Sequence, residues 1–177
     1  MKHKYLYIIS SILIVVYLFS ISLIFKVDYT YSYKTYYIDA KTAWWAGNDG
    51  LLVDFDSKYK FNESTEGYQY LGRDFIYEKE NKEDETFKKI KFDESSTIYY
   101  QIKNDNINNK YIIILNVSDS SNNTEFILNG ETINWIKEEN NIVISVEESV
   151  EHNKLKIKGN ENSNLYGISF IEVTDDE

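Results

Sequence analysis

The sequence contains no cysteine and no proline. Without cysteine there is no disulfide framework, no thiolate metal site, no cysteine nucleophile and no lipoprotein attachment point. Two histidines, His3 and His152, are too few for a histidine-rich metal cluster. Basic residues are also scarce: 19 Lys+Arg, with Arg73 the single arginine, stand against 29 Asp+Glu, and the net charge is −10. A surface of that sign repels phosphate backbones, so nucleic acid is not an expected partner. The G-x-S-x-G, H-E-x-x-H and G-x-x-x-x-G-K-[ST] patterns are absent as well, and nothing points to an enzyme or to a resident cofactor.

What is present first is a long apolar run. Residues Tyr5 to Phe25 carry no charge, and their most polar groups are the hydroxyls of Ser10, Ser11, Ser20 and Ser22. As a helix the run is about 31 Å long, matching the ~30 Å hydrocarbon core of a bilayer. Serine hydroxyls can bond back to helix carbonyls, so they do not disqualify it. The competing reading is a cleaved secretory signal, which has a shorter apolar stretch of about 7–15 residues and a small-x-small site beyond it. Here the nearest such site, Ser20-Ile21-Ser22, lies inside the run. The expectation is an uncleaved anchor, with residues 1–4 a short basic cytoplasmic tail, 5–25 the span and 26–177 an extracytoplasmic domain. All 29 acidic residues lie beyond position 27, which fits this orientation.

About 150 residues remain, enough for one core. Ile98, Tyr100 and Ile102 alternate with polar neighbours, as a half-buried strand requires. The continuous run Tyr111 to Val117 suits a strand covered on both faces. Phe126 and Leu128 lead into Asn129-Gly130, the strongest short hairpin signal, with Ile133 and Trp135 beyond it. Further strands are expected around Ile142–Val146, Leu155–Ile157 and Leu165–Val173. Polar Asn-, Ser- and Lys-rich segments separate them, and this spacing indicates a sandwich or barrel. Upstream, alternating Tyr29, Tyr31 and Tyr33 predict a strand, and Asp39 is placed to cap a short helix over 40–46. Leu51–Val53 and Tyr68–Tyr77 predict strands, and Glu78–Glu85 an exposed polar loop.

The order of features after position 96 resembles the galactose-binding-like jelly rolls and related carbohydrate-binding modules. The resemblance rests on Phe126-Ile127-Leu128-Asn129-Gly130, then Asn141 to Val146, then Asn153-Lys154-Leu155-Lys156-Ile157, and the closing Tyr166 to Val173. It departs from the family at Glu151-His152, where a glycine often stands. It implies glycan binding through aromatics and loops, although many members have lost it and serve as structural modules. Together with the apolar run, the expected fold is an all-β, antiparallel jelly-roll-like β-sandwich preceded by one N-terminal transmembrane helix.

Candidate contacts follow from side-chain chemistry. Trp44 and Trp45 offer apolar faces with polar edges, suited to stacking on sugar rings, although either also fits a plug for the sandwich end. Tyr68 and Tyr70 would share a strand face and extend that platform, with Arg73 and Asp74 supplying hydrogen bonds; ordinary sheet packing is the alternative. Asp54 and Asp56 have the spacing for a calcium site, but no glycine-turned calcium loop surrounds them, and a solvated acidic face is the better reading. The sequence thus predicts a non-catalytic glycan-binding module on a membrane anchor. The alternative is an accessory subunit docking another membrane or surface protein.

Overall fold

A computed structural model describes residues 2–24, 29–45, 47–55, 57–107, 109–118, 124–148, 150–161 and 163–173. The expected end of the span at Phe25 and the calcium candidate Asp56 lie outside these residues. The chain divides into two compact units, Met1–Thr30 and Tyr31–Glu177.

The first unit holds one helix, α1 (Lys2–Ile24), of 23 residues. Its large apolar side chains from Tyr5 to Leu23 are exposed wherever they are described, Ile21 being half-buried. Serine hydroxyls turn back onto the helix, Ser20 Oγ donating to Val16 O at 2.9 Å and Ser22 Oγ to Phe19 O at 2.8 Å. The unbroken run of described side chains, 7–23, is about 26 Å long as a helix. Taken on the described residues alone, no helix is long and apolar enough to cross a membrane.

The second unit is a mostly β, antiparallel, sandwich-like domain. Its strands are β1 (Lys58–Lys60), β2 (Phe75–Glu78), β3 (Lys89–Phe92), β4 (Ser95–Gln101), β5 (Tyr111–Val117), β6 (Glu125–Leu128), β7 (Glu131–Ile133), β8 (Trp135–Glu138), β9 (Asn141–Val146), β10 (His152–Lys158) and β11 (Leu165–Glu172). A five-stranded sheet has the order β1-β11-β5-β9-β8, a four-stranded sheet the order β4-β10-β6-β7, and β2 pairs with β3. Inward residues alternate along the strands: Tyr111, Ile113, Leu115 and Val117 of β5, Ile142, Ile144 and Val146 of β9, Leu155 and Ile157 of β10. This period of two is the pleat itself. The two sheets meet through Tyr100, whose ring lies 5.1 Å from that of Phe170 and whose hydroxyl is 2.7 Å from that of Tyr111.

The β6–β7 hairpin turns on Asn129 and Gly130, whose φ angles of 53° and 102° are the left-handed pair such a turn demands. Trp135 is half-buried against Phe126, its indole donating to Thr124 O at 3.1 Å.

Several expectations need correction. Strand β4 is buried on both faces, whereas β5 is buried on one, the reverse of what their patterns predict. Residues 31–38 are helical, ending in a π-helical turn (Lys34–Ile38), and do not form a strand. Small polar Ser32 and Thr35 face inward there, with Thr35 Oγ1 donating to Tyr31 O, while Tyr31 packs against the core and Tyr37 is exposed. Asp39 closes this helix instead of opening one, and 40–45 are not helical; Ala46, the expected end of that helix, lies outside the described residues. Leu51–Val53 contributes only a bridge from Leu52 to Gln101. Tyr68–Tyr70 is a 3₁₀ turn started by Gly67 at φ 89°; the chain is extended again from Leu71, which bridges Ile98, and the next strand begins at Phe75.

Candidate functional site

The anticipated sugar platform is taken apart by one short ladder. Thr42 pairs with Gly72, Ala43 N donates to Leu71 O at 3.0 Å, and Arg73 N donates to Lys41 O at 2.8 Å. Successive residues of an extended segment point opposite ways, so the ladder separates the two tryptophans. Trp44 packs against Tyr68, Tyr77 and Phe87 at ring distances of 5.2, 4.7 and 5.3 Å. Trp45 meets Tyr33, Tyr36 and Tyr37 at 5.9, 6.0 and 5.2 Å. Both are half-buried.

Tyr68 and Tyr70 are 2% and 1% exposed and cannot stack on a ligand. Their hydroxyls are committed inside: Tyr68 donates to Phe61 O at 2.6 Å and accepts from Phe87 N at 2.9 Å, and Tyr70 donates to Leu52 O at 2.8 Å. Burial raises both phenol pKa values above the ordinary range. Arg73 Nε donates to Thr42 O at 2.9 Å, and its guanidinium lies 5.6 Å from the Tyr36 ring centre. Asp74 accepts from Thr97 N at 3.0 Å and Thr97 Oγ1 at 2.6 Å. Asp74 thus holds the domain's own β4, beside the bridge from Leu71 to Ile98 and the bond from Gly72 N to Thr97 O, and the other five candidate residues bond and pack within the clasp of chain that covers it. Asp54 accepts from Ser57 Oγ at 2.5 Å, and among the described residues no acidic or histidine cluster could hold a metal ion.

The concave surface lies elsewhere, on the outer face of the five-stranded sheet. Register sets two rows across its strands: Lys58, Ser169, Ile114 and Val143, then Lys60, Gly167, Asn116 and Asn141. Gly167 leaves the second row without a side chain at its centre. A Cβ there would lie 2.4 Å from the Tyr59 carbonyl oxygen, so the close approach of β1 requires glycine. A register irregularity between Leu165 and Gly167 bends β11 beside it. The result is a groove of about 480 Å³ lined by these residues other than Val143, with Tyr59, Asn62, Glu63 and Tyr166.

Its polar groups are arranged in pairs. Asn116 Nδ2 donates to Asn141 Oδ1 at 3.0 Å, and Lys60 Nζ donates to Glu63 Oε1 at 3.1 Å. Tyr166 is 38% exposed and presents an aromatic surface. Amides, an ammonium, a carboxylate and a phenol around a small apolar hollow suit a hydroxyl-rich ligand of one or two rings. Only the cross-strand register brings these residues together, and they are up to about 110 positions apart in the chain.

A second groove of about 700 Å³ follows β7 and β8, the outermost strands of the two sheets at that side. Ile133, Trp135, Ile136 and Val150 line it together with Glu131, Glu147 and Glu148.

No family model, curated protein or solved structure matches the chain.

Proposed function

We propose that the chain is a membrane-tethered, extracytoplasmic β-sandwich that binds glycan without catalysis, at the groove on the five-stranded sheet. The observation that carries the reading is the groove beside Gly167, where exposed Tyr166 and the paired amides of Asn116 and Asn141 line one concavity. The chain crosses between the two larger antiparallel sheets at β4–β5, β5–β6, β7–β8, β9–β10 and β10–β11, which supports reading the sandwich as a jelly roll, the architecture of many galactose-binding-like modules.

The tether is the apolar run 5–24 of α1. At about 1.5 Å per residue it extends about 30 Å, and a helix apolar on all sides needs apolar surroundings. Alkaline carbonate extraction of membranes tests it: the full chain stays in the pellet if α1 is lodged in lipid. External protease on intact cells then degrades 31–177 if the domain faces outward.

The glycan site is tested on residues 31–177, which contain a core of their own. A glycan array should return binders, and Asn116→Ala and Tyr166→Ala should each weaken them about tenfold without lowering thermal stability appreciably. A well-folded domain that binds no glycan sinks this reading.

One observation favours a second reading. The groove along β7 and β8 joins an open sheet edge to exposed Ile136 and Val150, which suits an accessory subunit docking an extended segment of another envelope protein.

A further inference from the structure

We propose that the glycan held in the groove of the five-stranded sheet is acidic, its carboxylate, sulfate or phosphate group bound by Lys58 and Ser169. This rests on the glycan reading given above and names the class of sugar. Charges on that outer face are few. The middle strands β11, β5 and β9 turn no charged side chain outward. At one edge β1 presents Lys58 and Lys60, and at the other β8 presents Glu138, four strand spacings or about 19 Å away. The loop after β1 adds Glu63, whose carboxylate oxygens lie 3.1 and 3.2 Å from Lys60 Nζ. Lys58 is in no ion pair among the described residues, which include Asp54, bonded to Ser57 Oγ, and exclude Asp56. Of the three charges that line the groove, Lys58 is the one left unmatched.

The neutral groups have the same bias. Asn141 spends its carbonyl on Asn116 and keeps both hydrogens of its amide nitrogen for a ligand. Ser169 stands directly across from Lys58, and its hydroxyl makes no hydrogen bond among the described residues. Facing residues of paired strands have Cβ atoms about 4.5–5.5 Å apart, so the ammonium on its flexible stem and the hydroxyl can close on one oxygen-bearing group. Tyr166 adds a phenol. Donors thus outnumber acceptors, and a neutral sugar, whose hydroxyls give and accept alike, leaves the ammonium unanswered. An anionic substituent supplies acceptors alone and forms charge-assisted bonds, roughly twice as strong as neutral ones. In a chain of net charge −10 no general field draws an anion in, so its binding depends on these local groups.

The test compares matched sugars on the full chain in detergent: neutral oligosaccharides and the same oligosaccharides carrying a uronic acid, a sulfate or a phosphate. At least one acidic set should bind about tenfold more tightly than its neutral counterpart, and the set that does so identifies the substituent. Lys58→Gln should abolish that preference while leaving neutral binding within about twofold, and Ser169→Ala should reduce the preference about threefold. Asn116→Ala should weaken both sets alike. Lys58 is exposed, so an unchanged melting temperature separates lost recognition from lost folding. Neutral sugars bound as tightly as acidic ones overturn this inference and leave the glycan reading standing. A preference for acid that survives Lys58→Gln overturns the role given to Lys58 and Ser169. A folded chain that binds neither set loses the glycan reading, and this inference falls with it.

Discussion

The two ends of the four-stranded sheet are finished in different ways. At one end β4 is sealed by irregular chain: Leu71 bridges Ile98, Gly72 N donates to Thr97 O at 2.8 Å, and Val53 N and Gln101 N bond to Gln101 O and Leu51 O at 2.9 and 2.7 Å. At the other end the three residues of β7 complete the sheet, and β8 does the same for its neighbour. An unpaired edge invites pairing with another chain. In a protein without proline to blunt edges, one end is protected by cover and the other by brevity, with Lys137 and Glu138 near the tip of β8. The covered end is therefore where stability is concentrated, and the bare end is where a partner has room.

The largest effects should come from the seal. A Cβ at Gly72 would meet Asp74 Oδ1 at 2.3 Å and Thr97 O at 2.7 Å, so Gly72→Ala must push the clasp away from β4. Asp74→Ala removes both acceptors of Thr97. Each should cost about 3 kcal/mol in urea unfolding, from lost charge-assisted bonds and the donors left behind. If Gly72→Ala is neutral, the cover is dispensable and the contrast between the two ends is empty.

The adjacent tryptophans sharpen the same contrast within one segment. Trp44→Ala removes a ring wedged among Tyr68, Tyr77 and Phe87 and should cost about 2–3 kcal/mol. Trp45→Ala strips an outer ring and should cost under about 1 kcal/mol. Equal losses would mean that both sides of residues 41–45 are core.

That division also shows how much was legible beforehand. Strands β9 and β10 follow from alternation of apolar and polar residues, β5 and β11 from their apolar runs, and β6 from the Asn129-Gly130 turn, which needs only its own φ angles. The clasp was not legible. Its residues are ordered by β4, which lies about 25 positions downstream of Asp74, and no local period records that cover. The inversion of β4 and β5 has the same origin, since the sequence of a strand does not say what lies on its outer face. Tyr68 and Tyr70 read as a strand face because tyrosine favours sheets, yet Gly67 turns them inward. The groove residues went unnoticed because Gly167 matters only opposite Tyr59, Asn116 and Lys60, a juxtaposition created by register.

The clasp region should also set the alkaline limit. Burial first, and the Asp74 carboxylate second, raise the Tyr99 phenol to about 12, and burial raises Tyr70 and Tyr77 as well. A folded-state pKa above the unfolded value of about 10 means that the folded chain holds its phenol protons longer. This stabilisation is complete below pH ~10 and is lost as pH rises towards about 12. Melting temperature should therefore fall steadily over that interval, with phenolate absorbance of the buried tyrosines appearing together with unfolding. Tyr99→Phe should flatten the slope. A melting temperature constant to pH 12 would show that these phenols ionise freely and that the seal is open to water.

The smallest effect belongs to the bare end. Ile136 is exposed on β8, and replacing it removes no buried contact. Ile136→Lys should shift stability by less than about 0.5 kcal/mol. What it adds is a charge on an edge that an incoming strand would have to bury, the device by which natural edges discourage pairing. Urea unfolding of the variant should superimpose on that of the parent, while any concentration-dependent self-association of residues 31–177, read by sedimentation velocity, should decrease. Only this combination of unchanged stability and reduced association separates an edge left bare for a partner from one that merely ends the sheet. A loss comparable to Gly72→Ala would instead place β8 within the structural core and remove the difference between the two ends.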